Sequence, residues 1–380
     1  MTVLRGITWD HPRGFGGLEA TALVYGQSHA NVQVTWEKRP LSDLSEASLD
    51  ELADFHDLVV VDHPSVGLAA RTGCLQPLDA VIPGEFLELQ HEQSAGPSHR
   101  SYEYAGHQWA LALDAGAQVS AFRPDLLERP PDDWDSVTGL ALRDGPRVAI
   151  SLVSPDVFAS FLTLCANGGE PPFLRDDEIV SRETALHALG LLQRLAGLVN
   201  HASFTHDAPG LLEMMSTADE IAYAPLLFGY SNYSRPGFRP RHVRFADIPS
   251  SGEGPTGSLL GGAGIAISSK CQDIRAAAEY SMWVCQPEVQ RGLYFESGGQ
   301  PGNRVAWLDE SVNRRSDDFF RRTFGTLSGA YLRPRYDGYL QLQRECGKMV
   351  QEGLLAGRDP EDVYREMNAC YAESRKGQTT

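Results

Sequence analysis

Leu4-Arg5-Gly6-Ile7-Thr8-Trp9-Asp10-His11-Pro12 and Leu58-Val59-Val60-Val61-Asp62-His63-Pro64 place the same tripeptide, Asp-His-Pro, directly behind an apolar run. A short apolar run closed by a turn-forming residue reads as a buried strand. Each run is followed by glycine and a helix-like segment, residues 16–29 in the first case and 65–73 in the second. In open α/β sheets, ligands bind just beyond the carboxyl ends of the strands. The repeat therefore aims two Asp-His pairs at one crevice and says where function should lie.

Working outward, residues 32–37 alternate apolar and polar as a strand does, 49–55 read as a short helix and 58–61 as a strand. This β-α-β-α-β-α rhythm predicts an α/β fold with a parallel sheet and right-handed crossovers. Beyond residue 90 the texture changes. Residues 91–100 are polar and loop-like, and 102–113 resemble a hairpin with Trp109, Leu111 and Leu113 on one face. Residues 114–122 continue as an extended segment, Pro130-Pro131-Asp132-Asp133-Trp134 turns into a helix, and 147–150 read as a strand. Helices are expected at 155–166, stopped by Asn167-Gly168-Gly169, and at 184–199 and 211–217, with a strand at 220–224. A glycine-rich loop over 252–264 leads to a strand at 265–268 and helices at 273–285 and from 286 to Gly298-Gly299. The tail from 317 to 373 is helical except around 331–336.

A chain of 380 residues is long for one domain, so two lobes are expected. A hydrophobic fraction of 42% with 22% charged residues is that of an ordinary globular protein. The 33 Lys and Arg against 50 Asp and Glu give a net charge of −17, which disfavours nucleic acid and anionic membrane as partners. No apolar run approaches the ~18 residues that span a bilayer, so membrane insertion is not expected. The six cysteines show neither Cys-x-x-Cys nor zinc-like spacing, and free thiols fit a reducing compartment. Met1-Thr2-Val3-Leu4-Arg5 leads straight into the first strand without a basic and then apolar leader. The expectation is a cytoplasmic protein, or a periplasmic or extracellular one if a leader has been removed.

Several phrases in order resemble the extracellular solute-binding proteins of the sugar-binding type, the ligand receptors of ATP-driven importers. Asp57-Leu58-Val59-Val60-Val61-Asp62, then Gly73-Cys74-Leu75-Gln76-Pro77-Leu78-Asp79, are similar to that family's strand, helix and turn. Tyr104-Ala105-Gly106-His107-Gln108-Trp109-Ala110-Leu111 resembles its hairpin. Phe122-Arg123-Pro124-Asp125-Leu126-Leu127 with Trp134-Asp135-Ser136-Val137 resembles its crossing strand and next helix. Ala263-Gly264-Ile265-Ala266-Ile267-Ser268 resembles the return to the first lobe. Ala276-Ala277-Ala278-Glu279-Tyr280, Pro287-Glu288-Val289-Gln290 and Gly298-Gly299-Gln300-Pro301 resemble the closing helix pair and loop. The resemblance covers most of the chain. It implies a two-lobed, type II periplasmic-binding-protein-like flytrap, with the ligand cleft between lobes and hinge closure. Lobe one would be 1–113 plus 259–308, and lobe two 114–258 plus 309–380. It implies a monomer, and an importer permease as partner only if the protein is exported.

Within that frame the candidate ligand groups are Trp9, Asp10, His11, Asp62 and His63 from lobe one. Asp114 and Gln118 lie at the first crossover, Gly262 at the second and Asn303 near the third. Phe228, Tyr230, Asn232 and Tyr233 follow the lobe-two strand. Each has a plainer reading. A histidine behind a strand can cap the next helix. Trp9 can be core or can stack on a sugar ring. Gly261, Gly262 and Gly264 can admit a ligand or form a bulge. Glycine here is no phosphate loop, since no Gly-Lys-Ser/Thr follows, and no dinucleotide fingerprint is present. No cofactor and no metal are assigned.

The function expected is capture of a small polar ligand, such as a sugar, a polyol or another small metabolite, by a solute-binding protein. The alternative is a cytoplasmic hydrolase, lyase or isomerase on the same fold, with His11, His63, Asp62 and Tyr230 as acid-base groups. Adjacent residues on extended backbone point apart. A productive dyad would then be crossed, pairing Asp62 with His11 or Asp10 with His63.

Overall fold

In the strand Leu58–Val61 alternate side chains go to opposite hydrophobic clusters, and this buries the strand on both faces. Leu58 and Val60 join Leu4, Leu18, Ala277 and Tyr280 on one side. Val59 and Val61 join Ile7, Leu52, Val66 and Ala266 on the other. Such period-two burial on both faces is what a strand covered by helices on each side requires. The computed structural model describes residues 1–252 and 254–376, so Glu253 of the expected glycine-rich loop and 377–380 of the expected second lobe lie outside the described residues.

Nine strands run through the described residues: β1 (Thr2–Trp9), β2 (Val32–Arg39), β3 (Leu58–Val61), β4 (Glu103–Tyr104), β5 (His107–Gln108), β6 (Leu111–Phe122), β7 (Tyr223–Phe228), β8 (Arg244–Ala246) and β9 (Leu260–Ile267). The chain divides into two units. The first holds Met1–Gly116, Gly261–Arg314 and Arg335–Asp337; the second holds Ala117–Leu260, Arg315–Pro334 and Gly338–Thr380.

In the first unit the strand order is β2-β1-β3-β9. β1 is parallel to β2 from Thr2 opposite Val32 to Trp9 opposite Arg39, and parallel to β3 at Gly6–Leu58 and Ile7–Val59. β9 returns antiparallel, with Val61 opposite Gly264. Helix α1 (Pro12–Ser28) starts on a proline, whose missing N–H costs nothing there. Helix Ile274–Val284 starts on Asp273, which accepts from the Ala276 N–H at 3.1 Å. β4 and β5 form the small hairpin. Leu111 and Leu113 face the first cluster, but Trp109 packs in the second, so the three do not share a face as the alternation suggested.

In the second unit β6 pairs antiparallel with β7 and β8. The helix Asp156–Asn167 is buried along almost its whole length, and Arg182–Ala196, Tyr339–Ala356 and Pro360–Arg375 complete the helical layer. Asp133, Ser181, Asp207 and Asp359 each cap a helix with a side-chain oxygen, as polar residues at that position do.

The elements differ from expectation in specific places. The strand expected at 220–224 is Tyr223–Phe228 and contains Pro225. The register jumps there, so that residues 225 and 226 oppose Ser120 alone. Proline is tolerated in such a bulge because no ladder bond is asked of it. The strand expected at 147–150 reduces to a single bridge from Val148 to Tyr223, since Gly145–Arg147 forms a 3₁₀ turn. The loop expected at 91–100 begins inside the helix Gly84–Glu92 and ends in the helical turn Ser98–Ser101. Gly261, Gly262 and Gly264 lie within β9 rather than in a loop. Gly262 has φ +112°, and a Cβ there would stand 2.5 Å from the Asp114 carbonyl oxygen, so glycine serves close approach of two strands.

The first unit also differs from the expected lobe one at each internal boundary. It runs to 116 instead of 113, resumes at 261 instead of 259, and extends to 314 instead of 308. Residues 309–314 are held by the Asn313 Nδ2 bond to the Trp307 carbonyl (2.8 Å) and by Arg291 facing Asp309 at 3.7 Å. It regains 335–337 because Arg335 donates to the carbonyls of Arg100 (2.8 Å) and Glu103 (2.7 Å), and Arg71 pairs with Asp337.

Two outcomes are expected. A Cβ on Gly67 would meet the Arg335 carbonyl oxygen at 1.9 Å and the Asp337 nitrogen at 2.6 Å, both backbone atoms. Gly67→Ala should lower the unfolding free energy in urea by about 2 kcal/mol, as overpacking does. In the second unit, Asp156 accepts from Ser151 Oγ (2.8 Å) and the Ala208 N–H (3.1 Å). Burial, with a smaller push from Asp207, lifts its carboxyl from 3.8 to about 6. The folded state then holds this proton more tightly than the unfolded chain, so the group's contribution to stability falls as pH rises from about 4 to about 6. Asp156→Asn should gain on the wild type across that interval in parallel urea titrations and keep a constant lead above it.

Candidate functional site

Because β1 and β3 are parallel neighbours, Asp10-His11 and Asp62-His63 leave the same edge of the first unit's sheet. His11 is the residue before α1. Its backbone is extended (φ −147°, ψ 145°), and its Nδ1 accepts the Arg13 N–H at 3.0 Å. An accepting Nδ1 puts the proton of the neutral ring on Nε2. The helix-capping reading of this residue is thus realised.

His63 behaves differently. Its Nδ1 stands 3.3 Å from Oδ1 of its own neighbour Asp62. The two side chains meet because the chain turns at once into the 3₁₀ turn His63–Ser65, so the extended-backbone rule that predicted crossed pairs does not govern this residue. The His63 ring meets Tyr102 edge-on at 6.4 Å between centroids, and Tyr102 Oη reaches the Val61 carbonyl at 3.4 Å. Asp10 turns outward toward Lys38 Nζ, 3.9 Å away.

The strongest polar contact on this edge involves a residue the sequence reading missed. Arg13 donates to Asp114 through Nε (2.8 Å) and Nη2 (2.5 Å), a bidentate fork with both side chains buried. Burial pushes the Asp114 carboxyl up while Arg13 pulls it down, and the fork geometry is that of an ion pair. Gly116 leaves room for it: a Cβ there would stand 2.9 Å from Arg13 Nη2 and 3.1 Å from Gln300 Nε2. Gln300 in turn donates to the Ala115 carbonyl at 2.8 Å. A signal for Arg13 existed. A cation in the first turn of a helix opposes the macrodipole and wants a carboxylate partner, and α1 has no acidic residue in that turn.

In the second unit, Phe228 ends β7 opposite Gln118, and the Gly229 N–H bonds the Ala117 carbonyl at 3.1 Å. The turn Ser231–Ser234 follows. Tyr230 and Tyr233 meet edge-on at 6.5 Å, Tyr233 meets Phe238 at 5.2 Å, and its hydroxyl donates to Glu213 at 3.2 Å. Burial and Glu213 both raise the Tyr233 phenol. Arg235 is a half-buried cation that the sequence reading missed. Burial and the nearby Arg315 bring it down to about 10.

Several expected ligand groups make contacts within the scaffold. Trp9 packs in the first hydrophobic cluster, and its ring closes on Gly14, where a Cβ would be 2.4 Å from it. Gln118 is buried, with Nε2 donating to Ser160 Oγ (3.1 Å) and Oε1 accepting from Thr163 (2.6 Å). Asn303 caps the helix Arg304–Leu308 through Oδ1 (2.8 Å to the Val305 N–H) and bonds Gln93. Asp114 answers Arg13, and Gly262 answers the Asp114 backbone. His11, Asp62 and His63 are the ones the fold brings to one sheet edge in the first unit. In the second, Phe228 ends β7, and Tyr230 and Asn232 follow it directly.

The fold is that of the solute-binding proteins of ATP-driven importers. The chain is similar over 98% of its length to a solute-binding protein from Agrobacterium radiobacter K84 in complex with ribitol, of which it covers 98%, with a TM-score of 0.82 and 19% identity. It is similar to one from Thermotoga lettingae bound to α-D-tagatose (98% of this chain, 100% of that one, TM-score 0.83, 17% identity). Maltose-bound MalE3 of T. maritima matches at 98% and 99% coverage, with a TM-score of 0.83 and 17% identity. No protein-family model matches the chain. No helix among the described residues is long and apolar enough to cross a membrane.

Removing one member of a buried pair leaves the other charge without compensation. Arg13→Met should destabilise the protein by about 3 kcal/mol or more in urea unfolding, and adding Asp114→Leu should recover much of that loss. Equal stability of the single and double variants would contradict this account of the pair.

Proposed function

We propose that this protein captures a small polyhydroxy ligand, a sugar or a polyol, as a solute-binding protein. The observation that carries the reading is the agreement of the whole chain with solute-binding structures in complex with ribitol, tagatose and maltose. In this reading the first unit contributes polar side chains suited to hydroxyl groups: the imidazoles of His11 and His63 and the carboxylate of Asp62. Ligand pockets combine a few such polar groups with apolar and aromatic walls. In this reading Phe228 and Tyr230 supply the aromatic surface, Asn232 adds an amide, and binding is accompanied by a hinge motion. A ligand released unchanged can be passed to an importer permease, the partner of this class.

The test is a thermal-shift panel of pentitols, hexitols, ketohexoses and maltodextrins on the purified chain, followed by recovery of each hit. One or more polyhydroxy compounds should raise the melting temperature by a few degrees, saturably, and come back unchanged. His63→Ala and Tyr230→Ala should each weaken that hit about tenfold, the size of one lost hydrogen bond or stacking contact. Trp9→Phe should leave its affinity unchanged. Small-angle scattering should give a smaller radius of gyration with ligand than without. Absence of any stabilising sugar or polyol defeats the proposal. Conversion of a hit to product, lost in His11→Ala or His63→Ala, would replace it with catalysis.

A further inference from the structure

A groove of about 620 Å³ in the first unit has three potential metal ligands on its wall, and neither the fold nor the proposed ligand site accounts for them. His91 sits in the last turn of the helix Gly84–Glu92, His99 in the turn Ser98–Ser101, and Glu103 opens β4. We propose that His91, His99 and Glu103 form a binding site for a divalent transition metal of the zinc class.

The geometry comes first. One donor atom from each residue lies within 4.8 Å of the other two. The His91 and His99 rings meet edge-on at 5.7 Å, and His91 Nδ1 is 3.9 Å from Glu103 Oε1. Tetrahedral zinc with bonds near 2.0–2.1 Å wants its donors about 3.4 Å apart. His91 and Glu103 are the exposed members and can close that gap by rotating their side chains. His99 is the fixed member. It is 4% exposed, its N–H bonds Ser94 Oγ at 2.9 Å, and its carbonyl accepts from Gln108 at 3.1 Å. Its Nδ1 is buried without a hydrogen-bond partner, a condition that native proteins resolve with a water or an ion.

The donor chemistry selects the metal. Two imidazoles and a carboxylate suit zinc, cobalt or nickel, whereas calcium and magnesium ask for oxygen ligands throughout. Three protein ligands leave a fourth position, which opens on the groove. Arg335 also borders the groove, but its guanidinium is tied to the carbonyls of Arg100 and Glu103. The carboxylates of Asp79 and Glu88 on the same wall offset its charge. Little in the sequence announces this cluster. The cysteines are absent from this region, and the spacing His-x7-His-x3-Glu spans a helix end, a turn and a strand.

The test uses the full chain, without an affinity tag and stripped by a chelator. Cobalt is titrated first and followed by its visible absorption, and zinc is then used to displace it. One cobalt per chain should bind with the intense bands of a low-symmetry nitrogen-oxygen site, and one equivalent of zinc should abolish them. His91→Ala and Glu103→Gln, both surface changes, should each weaken zinc by about tenfold or more. His201→Ala, an exposed histidine of the second unit, should not. Either of two results overturns the proposal: no saturable one-to-one binding up to about a millimolar metal, or undiminished binding in the His91→Ala/Glu103→Gln double variant. Repeating the zinc titration with a sugar hit present separates this site from the proposed ligand site.

Discussion

The buried fork between Arg13 and Asp114 constrains more of the first unit than any other contact. An ion pair without water must be made with both partners in place, because either charge alone costs several kcal/mol. To place the guanidinium there, α1 must begin at Pro12, which puts His11 at the capping position. To place the carboxylate there, β6 must pass beside the start of α1 with glycine at 116. Gln300 then closes over the Ala115 carbonyl, and Pro301 bridges to Asp114. The pair's larger effect is on uniqueness. A β6 shifted by one residue would bury the carboxylate away from its partner, so one register of the strand is singled out.

The same contact shows why the site was only partly legible in the sequence. The runs 49–55 and 58–61 were readable residue by residue, because apolar spacing and β-branched content act locally. Asp-His-Pro was readable as the end of a strand for the same reason. What those residues do depends on facts that are not local. Whether His11 aims at a ligand or at a backbone N–H is decided by where α1 starts. Whether Asp62 meets His63 is decided by the turn type after it. Pro225 hid a strand because its bulge is visible only once β6 lies alongside. The glycines of β9 looked like a loop because the strand lying against them, β6, comes far earlier in the chain.

A pattern runs through the expected ligand groups that the scaffold engages. Gln118, Asn303, Asp114 and Trp9 are polar or amphipathic side chains near chain crossovers, where a ligand group and a scaffold group have the same composition. Each is already engaged within its own unit: a hydroxyl pair for Gln118, a helix start for Asn303, a guanidinium for Asp114, a hydrophobic cluster for Trp9. Polar groups taken out of water must be paired, so a fold of this size consumes many of its polar side chains internally. Residues at the end of a strand, such as Asp62, are less committed to the interior.

The three residues Arg335–Asp337 carry a consequence for biosynthesis. Their backbone lies against Gly67, and Arg335 holds the turn before the β4–β5 hairpin, yet nearly 270 positions separate them from that glycine. A ribosome delivers the chain from its amino end, at about 5–20 residues per second. The sheet of β1, β2 and β3 emerges early but lacks β9 until residue 267, and lacks this last brace until residue 337. For most of its synthesis the amino-terminal sheet therefore presents the β3 edge that β9 will occupy, a strand rich in valine and free to pair with a neighbour. The order of segments along the gene, as much as the final fold, sets how long that edge stays open.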